Sequence, residues 1–176
     1  MSVLIIAEHD NNILKSSTLN TISAAMKLSD DIHLLVLGSK IENLCKNTQS
    51  IHKVSKILKC DNEKLENFTP EIMAPIVSNI AKNYTHVLAP ASTFGKNLLP
   101  RVSALLDVTQ ISDVIEILSE NTFVRPIYAG NAISQVETNQ NINLLTIRPT
   151  AFDKCEESGG SASIAVSYTH LRAHET

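Results

Sequence analysis

Tryptophan is absent from this 176-residue chain, and aromatic residues make up only 4% of it. The core must therefore be aliphatic, and with 43% hydrophobic residues the chain is long enough to fill one domain of ordinary size. Charge of one sign is also lacking. Fifteen Lys and Arg against 18 Asp and Glu give a net charge of −3, and no aromatic residues interleave with basic ones, so a nucleic-acid partner is not expected. Cysteines are few: Cys45, Cys60 and Cys155 are odd in number, widely separated and form no CxxC pair. They fit a reducing compartment better than a disulfide frame. No apolar run approaches membrane-spanning length. The opening run Val3–Ala7 is too short for a signal peptide and lacks a basic flank. A soluble, cytoplasmic protein without membrane insertion is expected.

What is present alternates. Val3–Ala7 reads as a strand buried on both faces. Leu19, Ile22, Ala25 and Met26 then form a helical face, with Thr18 as its expected cap. Ile32–Leu37 is a second buried strand ended by Gly38. A weak helix follows between Ile41 and Ile51, then a third strand at Val54–Leu58. Thr69 is placed to cap a helix with Pro70 at its first position, burying Ile72, Met73, Ile76, Val77 and Ile80. Pro75 weakens that helix by removing a donor. The apolar run Val87, Leu88 and Ala89, stopped at Pro90, and the periodic Leu98, Val102, Leu105 and Leu106 complete a fourth strand–helix unit. Such alternation predicts a parallel sheet with right-handed crossovers.

Beyond Leu106 the rhythm changes. Val108–Leu118, Thr122–Ala129, Ala132–Glu137 and Ile142–Arg148 read as successive strands, with a hairpin turn expected at Gly130-Asn131. Pro126 belongs at an edge or bulge because it cannot donate to a ladder. The expected architecture is an α/β domain over residues 1–152, with a mostly parallel sheet finished by an antiparallel meander. Residues 153–165 are polar, carry Gly159-Gly160 and read as a linker. Residues 166–176 (VSYTHLRAHET) resemble the translation of a sequencing adapter, and are set aside from fold reasoning as a construction scar would be.

Three groups of residues could carry chemistry. Ser92, Thr93, Gly95, Lys96 and Asn97 lie between the fourth strand and its helix, where glycine, a helix N-terminus and a lysine together suit an anion. This is not a phosphate-binding P-loop, since Pro90 stands where a glycine is needed and Asn97 where a hydroxyl is needed. A capped helix start is the plainer reading. His9, between Glu8 and Asp10 after the first strand, could titrate near neutrality, but no nucleophile accompanies it and a solvated turn is the simpler account. Arg125, Pro126, Tyr128 and Asn131 flank the hairpin turn and suit either plain sheet surface or a docking surface. His33, His52 and His86 lack ligand spacing, so no metal is expected. His170 and His174 stand four residues apart but fall in the adapter-like tail.

Several segments together carry a family resemblance. AEHD near the start, TLNTISAA, YTHVLAPASTFGKNLLPRVSALLDVTQISDV, TFVRPIYAGNAISQVET and TIRPTAFD occur in an order and spacing that resemble the alpha subunit of electron-transfer flavoproteins, over residues 1–165. The resemblance implies a Rossmann-like fold of the adenine-nucleotide alpha hydrolase type, a three-layer sandwich. It implies a heterodimer with a homologous beta subunit that carries one FAD. That complex passes electrons from acyl-CoA dehydrogenases and related dehydrogenases of fatty acid beta-oxidation to a membrane quinone oxidoreductase. The subunit would be an electron carrier rather than an enzyme. In the family the FAD is held mainly by a further carboxy-terminal domain, whose binding motif has no counterpart positions in this sequence, so no FAD ligand is assigned here and the chain is expected to hold flavin poorly or not at all. In the beta subunit the segment equivalent to Ser92–Asn97 helps bind AMP; in the alpha subunit that slot is not credited with a nucleotide. A free-standing nucleotide-binding module using Ser92–Asn97 remains the alternative, and a small hydrolase built on His9 a weaker third.

Overall fold

The computed structural model describes residues 2–167. Four strand–helix units open the chain: β1 (Ser2–Ile6), α1 (Ser16–Ala25), β2 (Asp31–Gly38), α2 (Glu42–Thr48), β3 (Val54–Asp61), α3 (Pro70–Ala81), β4 (His86–Pro90) and α4 (Thr93–Leu106). Six further strands follow: β5 (Gln110–Val114), β6 (Glu116–Ile117), β7 (Thr122–Ile127), β8 (Ala132–Glu137), β9 (Asn143–Ile147) and β10 (Ser163–Val166). Seven of the ten strands form one parallel sheet in the order β10-β3-β2-β1-β4-β9-β5, and β6-β7-β8 form a small antiparallel sheet.

Alternation along β1 shows why the sheet is covered on both faces. Val3 and Ile5 join one core with Leu19 and Ile22 of α1 and Leu44 of α2. Leu4 and Ile6 join a second core with Met73 and Val77 of α3 and Leu98 and Val102 of α4. Helices therefore lie in two outer layers around the sheet, the three-layer α/β arrangement expected. Winding runs from β1 outward to β3 with α1 and α2 on one face, then reverses to β4 with α3 and α4 on the other, as right-handed crossovers require. The reversal puts a switch point between β1 and β4, and the crevice beyond the carboxyl ends of those strands is where this architecture binds ligands.

Several expectations need correction. Thr18 does not cap α1, which begins at Ser16 after Lys15. Its hydroxyl instead clamps the end of β1, accepting from the Glu8 N–H at 2.9 Å and donating to the Glu8 carbonyl at 3.2 Å. Thr69 does stand at the N-cap of α3 with Pro70 following, though its side chain makes no capping bond, and the helix runs on through Pro75. The stretch 108–118 is two strands separated at Ile115, and within the first of them Asp113 takes a left-handed φ of 61° where the register against β9 shifts. The last strand of the expected meander, β9, instead inserts in parallel between β4 and β5. Its five residues are all buried, and burial on both faces is the condition of an inner parallel strand.

Residues 153–165, expected to be a linker, form an ordered strap that ends in β10. Cys155 N–H donates to Leu19 O, His52 N–H to Glu156 O, Gly160 N–H to Ser50 O and Ala162 N–H to Gln49 O. Gly160 is required there, since a Cβ would sit 2.0 Å from the Ile51 carbonyl oxygen. β10 then pairs with β3 from Ser163 to Val166. Of the adapter-like tail, Val166 thus lies in the sheet and Ser167 N–H donates to Lys59 O, while residues 168–176, His170 and His174 among them, lie outside the described residues.

Candidate functional site

Ser92 is the N-cap of α4, and the rest of the expected loop is already helix: Thr93, Gly95, Lys96 and Asn97 form its first turns. The Lys96 N–H donates to the Ser92 carbonyl at 2.9 Å. Gly95 serves packing, because a Cβ would lie 1.9 Å from the Pro90 carbonyl oxygen. This lets α4 leave β4 at close quarters and turns the α-carbon of Gly95 toward its own chain instead of a ligand. Thr93, Lys96 and Asn97 point to solvent. One feature keeps an anion in play: Ser92 Oγ is buried and has no hydrogen-bond partner, next to the first-turn N–H groups that any helix leaves without an internal acceptor.

On the other side of the switch point the loop after β1 is closed on itself. Glu8 accepts a hydrogen bond from Ser17 at 2.7 Å, and Asp10 Oδ1 accepts from the N–H groups of Asn12 and Ile13. Neither carboxylate is hydrogen-bonded to His9. His9 is buried, 6% exposed, with its ring edge-on to Phe68, and its Nδ1 accepts the Asn11 N–H at 3.0 Å. Burial lowers its pKa to about 4, outweighing the opposing pull of Asp10 and the Leu37 carbonyl. The ring is therefore neutral at neutral pH and enclosed, and a hydrolase role for it is not supported. Asn11, at a φ of 73°, braces three loops: its Oδ1 accepts from Ser39 N–H at 3.0 Å and its Nδ2 donates to Glu66 O at 3.2 Å.

A further constellation at this edge was not anticipated from the sequence. Arg148, just after β9, holds the Asp113 carboxylate with Nε at 3.0 Å and a terminal nitrogen on the second oxygen. Asp113 N–H donates to Thr146 Oγ1 at 2.8 Å, and Arg148 N–H to Val114 O at 2.9 Å. The paired residues are separated by 35 positions, so only the insertion of β9 beside β5 brings them together. The segments TIRPTAFD and VTQISD contain both, but nothing local in either marks the contact.

The hairpin is built differently from expectation. Ile127 pairs with Ala132, so the turn has four residues, Tyr128-Ala129-Gly130-Asn131, in place of the two-residue turn at Gly130-Asn131. Tyr128 and Ala129 both take left-handed φ values, 50° and 53°, and Gly130 one of 92°. Tyr128 projects from this turn 80% exposed, and Ile133 is 61% exposed. Pro126 is buried and lies beyond the two residues of β7 that β6 covers, so the ladder is not interrupted there. Arg125 Nε is buried without a partner.

Near the amino-terminal ends of β2 and β4, His33 and His86 are structural. His33 lies 2.7 Å from the Tyr84 hydroxyl and 3.1 Å from Asp31. His86 Nε2 lies 2.6 Å from the Glu120 carbonyl, to which it must donate, while its Nδ1 is 3.0 Å from the Thr85 hydroxyl. Burial lowers the pKa of both. Among the described residues no group of His, Cys, Asp and Glu is arranged to hold a metal, and no helix is long and apolar enough to cross a membrane. The three cysteines are buried and none is in a disulfide.

Comparison with known proteins gives a consistent result. Residues 3–169 match the electron transfer flavoprotein domain. The chain is similar to the electron transfer flavoprotein subunit alpha of Pseudomonas aeruginosa, at 48% identity over 164 residues that cover 93% of this chain and 53% of that protein. It is similar also to the mitochondrial electron transfer flavoprotein subunit alpha of Dictyostelium discoideum, at 45% over 169 residues, and to that of Arabidopsis thaliana, at 43% over 160 residues. In these two the matched region covers 48% and 44% of the relative. The chain thus spans about half the length of the curated relatives it matches.

Proposed function

The chain belongs to the electron transfer flavoprotein family, and from that premise we propose that it is the scaffold domain of an alpha subunit that pairs with a beta subunit in a cytoplasmic, FAD-carrying electron carrier. The observation carrying this reading is the 48% identity to an alpha subunit across nearly the whole chain. In the complex, electrons would pass from acyl-CoA and related dehydrogenases to a quinone oxidoreductase. The flavin would supply the one- and two-electron chemistry, and the protein its binding and orientation.

The residues of this chain do not themselves fit a flavin site. At the switch point Gly95 is packed against the Pro90 carbonyl, Lys96 extends to solvent, and the loop after β1 is locked by Asp10, Asn11 and Glu8. The domain's part is to present surfaces, and the hairpin Arg125–Asn131 is the surface best shaped for a subunit contact: a tyrosine held out on a turn with two left-handed non-glycine residues. Such strain is retained where the surrounding structure or a function demands it.

Purifying the chain and reading its visible absorbance tests the flavin part. Colourless protein that takes up no added FAD agrees with a scaffold role; a stoichiometric flavin spectrum contradicts it. A second reading rests on the orphaned Ser92 Oγ, which favours an anion such as the phosphate of AMP at the α4 N-terminus. Calorimetric titration with AMP decides it, and absence of heat at millimolar ligand excludes it.

A further inference from the structure

The loop after β1 is stiff within itself, and one asparagine beside a buried histidine fastens it to its neighbours. Within the loop, His9 and Leu14 form a β-bridge, the Lys15 N–H donates to Glu8 O at 2.9 Å, and the Asp10 N–H to Ile13 O at 3.3 Å. At its base the Thr18 hydroxyl holds the Glu8 backbone. Asn11 makes the outward hydrogen bonds, to Ser39 after β2 and to Glu66 before α3. Gly38 leaves room for them, since a Cβ there would lie 2.4 Å from Asn11 Oδ1 and 2.9 Å from His9 Cε1. Asn11 keeps its left-handed φ of 73° with its own N–H donating to His9 Nδ1 at 3.0 Å.

That last bond leaves His9 one place for a second proton, and it is the wrong one. A ring nitrogen that accepts an N–H carries no proton, so the neutral ring is protonated at Nε2. Nε2 is itself buried without a hydrogen-bond partner, and the ring stands edge-on to Phe68. A second proton must therefore land on Nδ1, where two donors would face each other and the Asn11 N–H would lose its acceptor. The surrounding charges compensate poorly. Asp10 and the Leu37 carbonyl favour a charged ring but are outweighed by burial. Asp10 is occupied by the Asn12 and Ile13 N–H groups and lies in the field of Lys15. Glu8 is taken by Ser17, Asp61 by the Lys40 and Ile41 N–H groups, and Glu66 meets the loop through its backbone carbonyl.

We propose that this loop is a proton-operated latch at the carboxyl end of β1: with His9 neutral, Asn11 pins the loop to Ser39 and Glu66, and a proton on His9 Nδ1 frees Asn11 so that the loop swings away while the sheet stays folded. The latch depends on neither the flavin reading nor the hairpin contact. Local opening of this kind is read by amide hydrogen exchange, followed on the full chain by NMR and divided by each amide's intrinsic rate. Between about pH 7.5 and about pH 4.5, protection of the Asn11 and Ser39 N–H groups should fall about fiftyfold. That ratio follows from a ring that takes its proton near the ordinary 6.5 when the loop is open and at about 4 when it is latched. The Ala7 N–H, bonded to Leu35 O of β2, should keep its protection. Ring nitrogen shifts should show Nδ1 unprotonated at neutral pH and protonated over the same range. His9→Asn, whose side-chain oxygen can take the Asn11 N–H without titrating, should hold Asn11 and Ser39 protected throughout. Gly38→Ala, whose methyl displaces the Asn11 side chain, should release Ser39 at every pH. Protection at Asn11 and Ser39 that ignores pH, loss at Ala7 in step with theirs, or a protonated Nδ1 at neutral pH would each overturn the latch. So would an unchanged fall in His9→Asn, or a Ser39 amide as protected in Gly38→Ala as in the parent. Where a variant does not fold, the parent's amides and ring shifts decide alone.

Discussion

Arg148 grips Asp113 with two parallel hydrogen bonds, and the residue it grips sits in the left-handed region at a φ of 61°. Bidentate guanidinium–carboxylate pairs are the stronger kind of ion pair, and this one spans the carboxyl ends of β9 and β5 where their register shifts. It holds an irregular strand end at the edge where the architecture places ligands or partners.

That arrangement separates charge from backbone strain. Asn tolerates left-handed φ better than Ala, so Asp113→Asn should lose about 1 kcal/mol, the ion pair alone. Asp113→Ala should lose about 1 kcal/mol more, through the unfavourable φ. Urea unfolding of both variants, with Arg148→Gln completing a double-mutant cycle, measures each part. Equal losses in the two Asp113 variants would remove the strain argument.

Glycine substitutions should rank by what a Cβ meets. Gly95→Ala places a methyl 1.9 Å from the Pro90 carbonyl oxygen, and Gly160→Ala places one 2.0 Å from the Ile51 carbonyl oxygen. Backbone cannot yield cheaply, so each should cost about 3 kcal/mol or prevent folding. Gly130→Ala meets nothing within 4 Å and should cost only about 1 kcal/mol, from its positive φ. Soluble yield and thermal melting of the three variants give the order; a Gly130 variant as damaged as the other two would contradict it.

Stability should fall as pH drops from 6.5 toward about 4. The pKa of His9 is lower in the folded chain than the ordinary 6.5, so below that value the unfolded state takes up a proton that the folded state refuses. The His9 contribution is full above 6.5, is lost progressively down to about 4, and amounts to about 3 kcal/mol. His33 and His86, also lowered by burial, act in the same direction. Asp10, held below its ordinary 3.8 by the Ile13 and Asn12 N–H groups, loses its contribution only at lower pH. Protonation at Nδ1 would also deprive the Asn11 N–H of its acceptor. Urea unfolding across this range should show the slope, and His9→Asn should flatten it; an unchanged slope in that variant would assign the effect elsewhere.

Burial pushes the Cys45 thiol up to about 12 and the Cys155 thiol up to about 11. Thiolate is the reactive form, so both should resist iodoacetamide at neutral pH and react once denaturant is added. Mass spectrometry of native and unfolded samples distinguishes this from surface reactivity.

Much of the parallel core was legible because its signals are local. Val3–Ala7 and Ile32–Leu37 are continuous apolar runs, and α3 and α4 carry helical spacing strong enough to override Pro75 and Pro100. β9 was misplaced because a buried strand reads alike whether it closes a meander or inserts into a sheet; only its partners, β4 and β5, tell the two apart. The strap was missed because its order comes from backbone hydrogen bonds to Ser50, His52 and Gln49, which polar sequence does not announce. At the candidate site the position of Ser92 before α4 was readable, whereas the burial of His9 and the Arg148–Asp113 pair depend on loops that meet only in the folded chain.

The central claim is that this domain is the scaffold half of a two-subunit carrier. Sedimentation of the chain mixed with the beta subunit from the same source tests it most directly. The account predicts a one-to-one complex, weakened at least about tenfold by Tyr128→Asp, which places a charge where an exposed anchor should be buried. A chain that is folded by circular dichroism yet sediments as a monomer beside the beta subunit would contradict it.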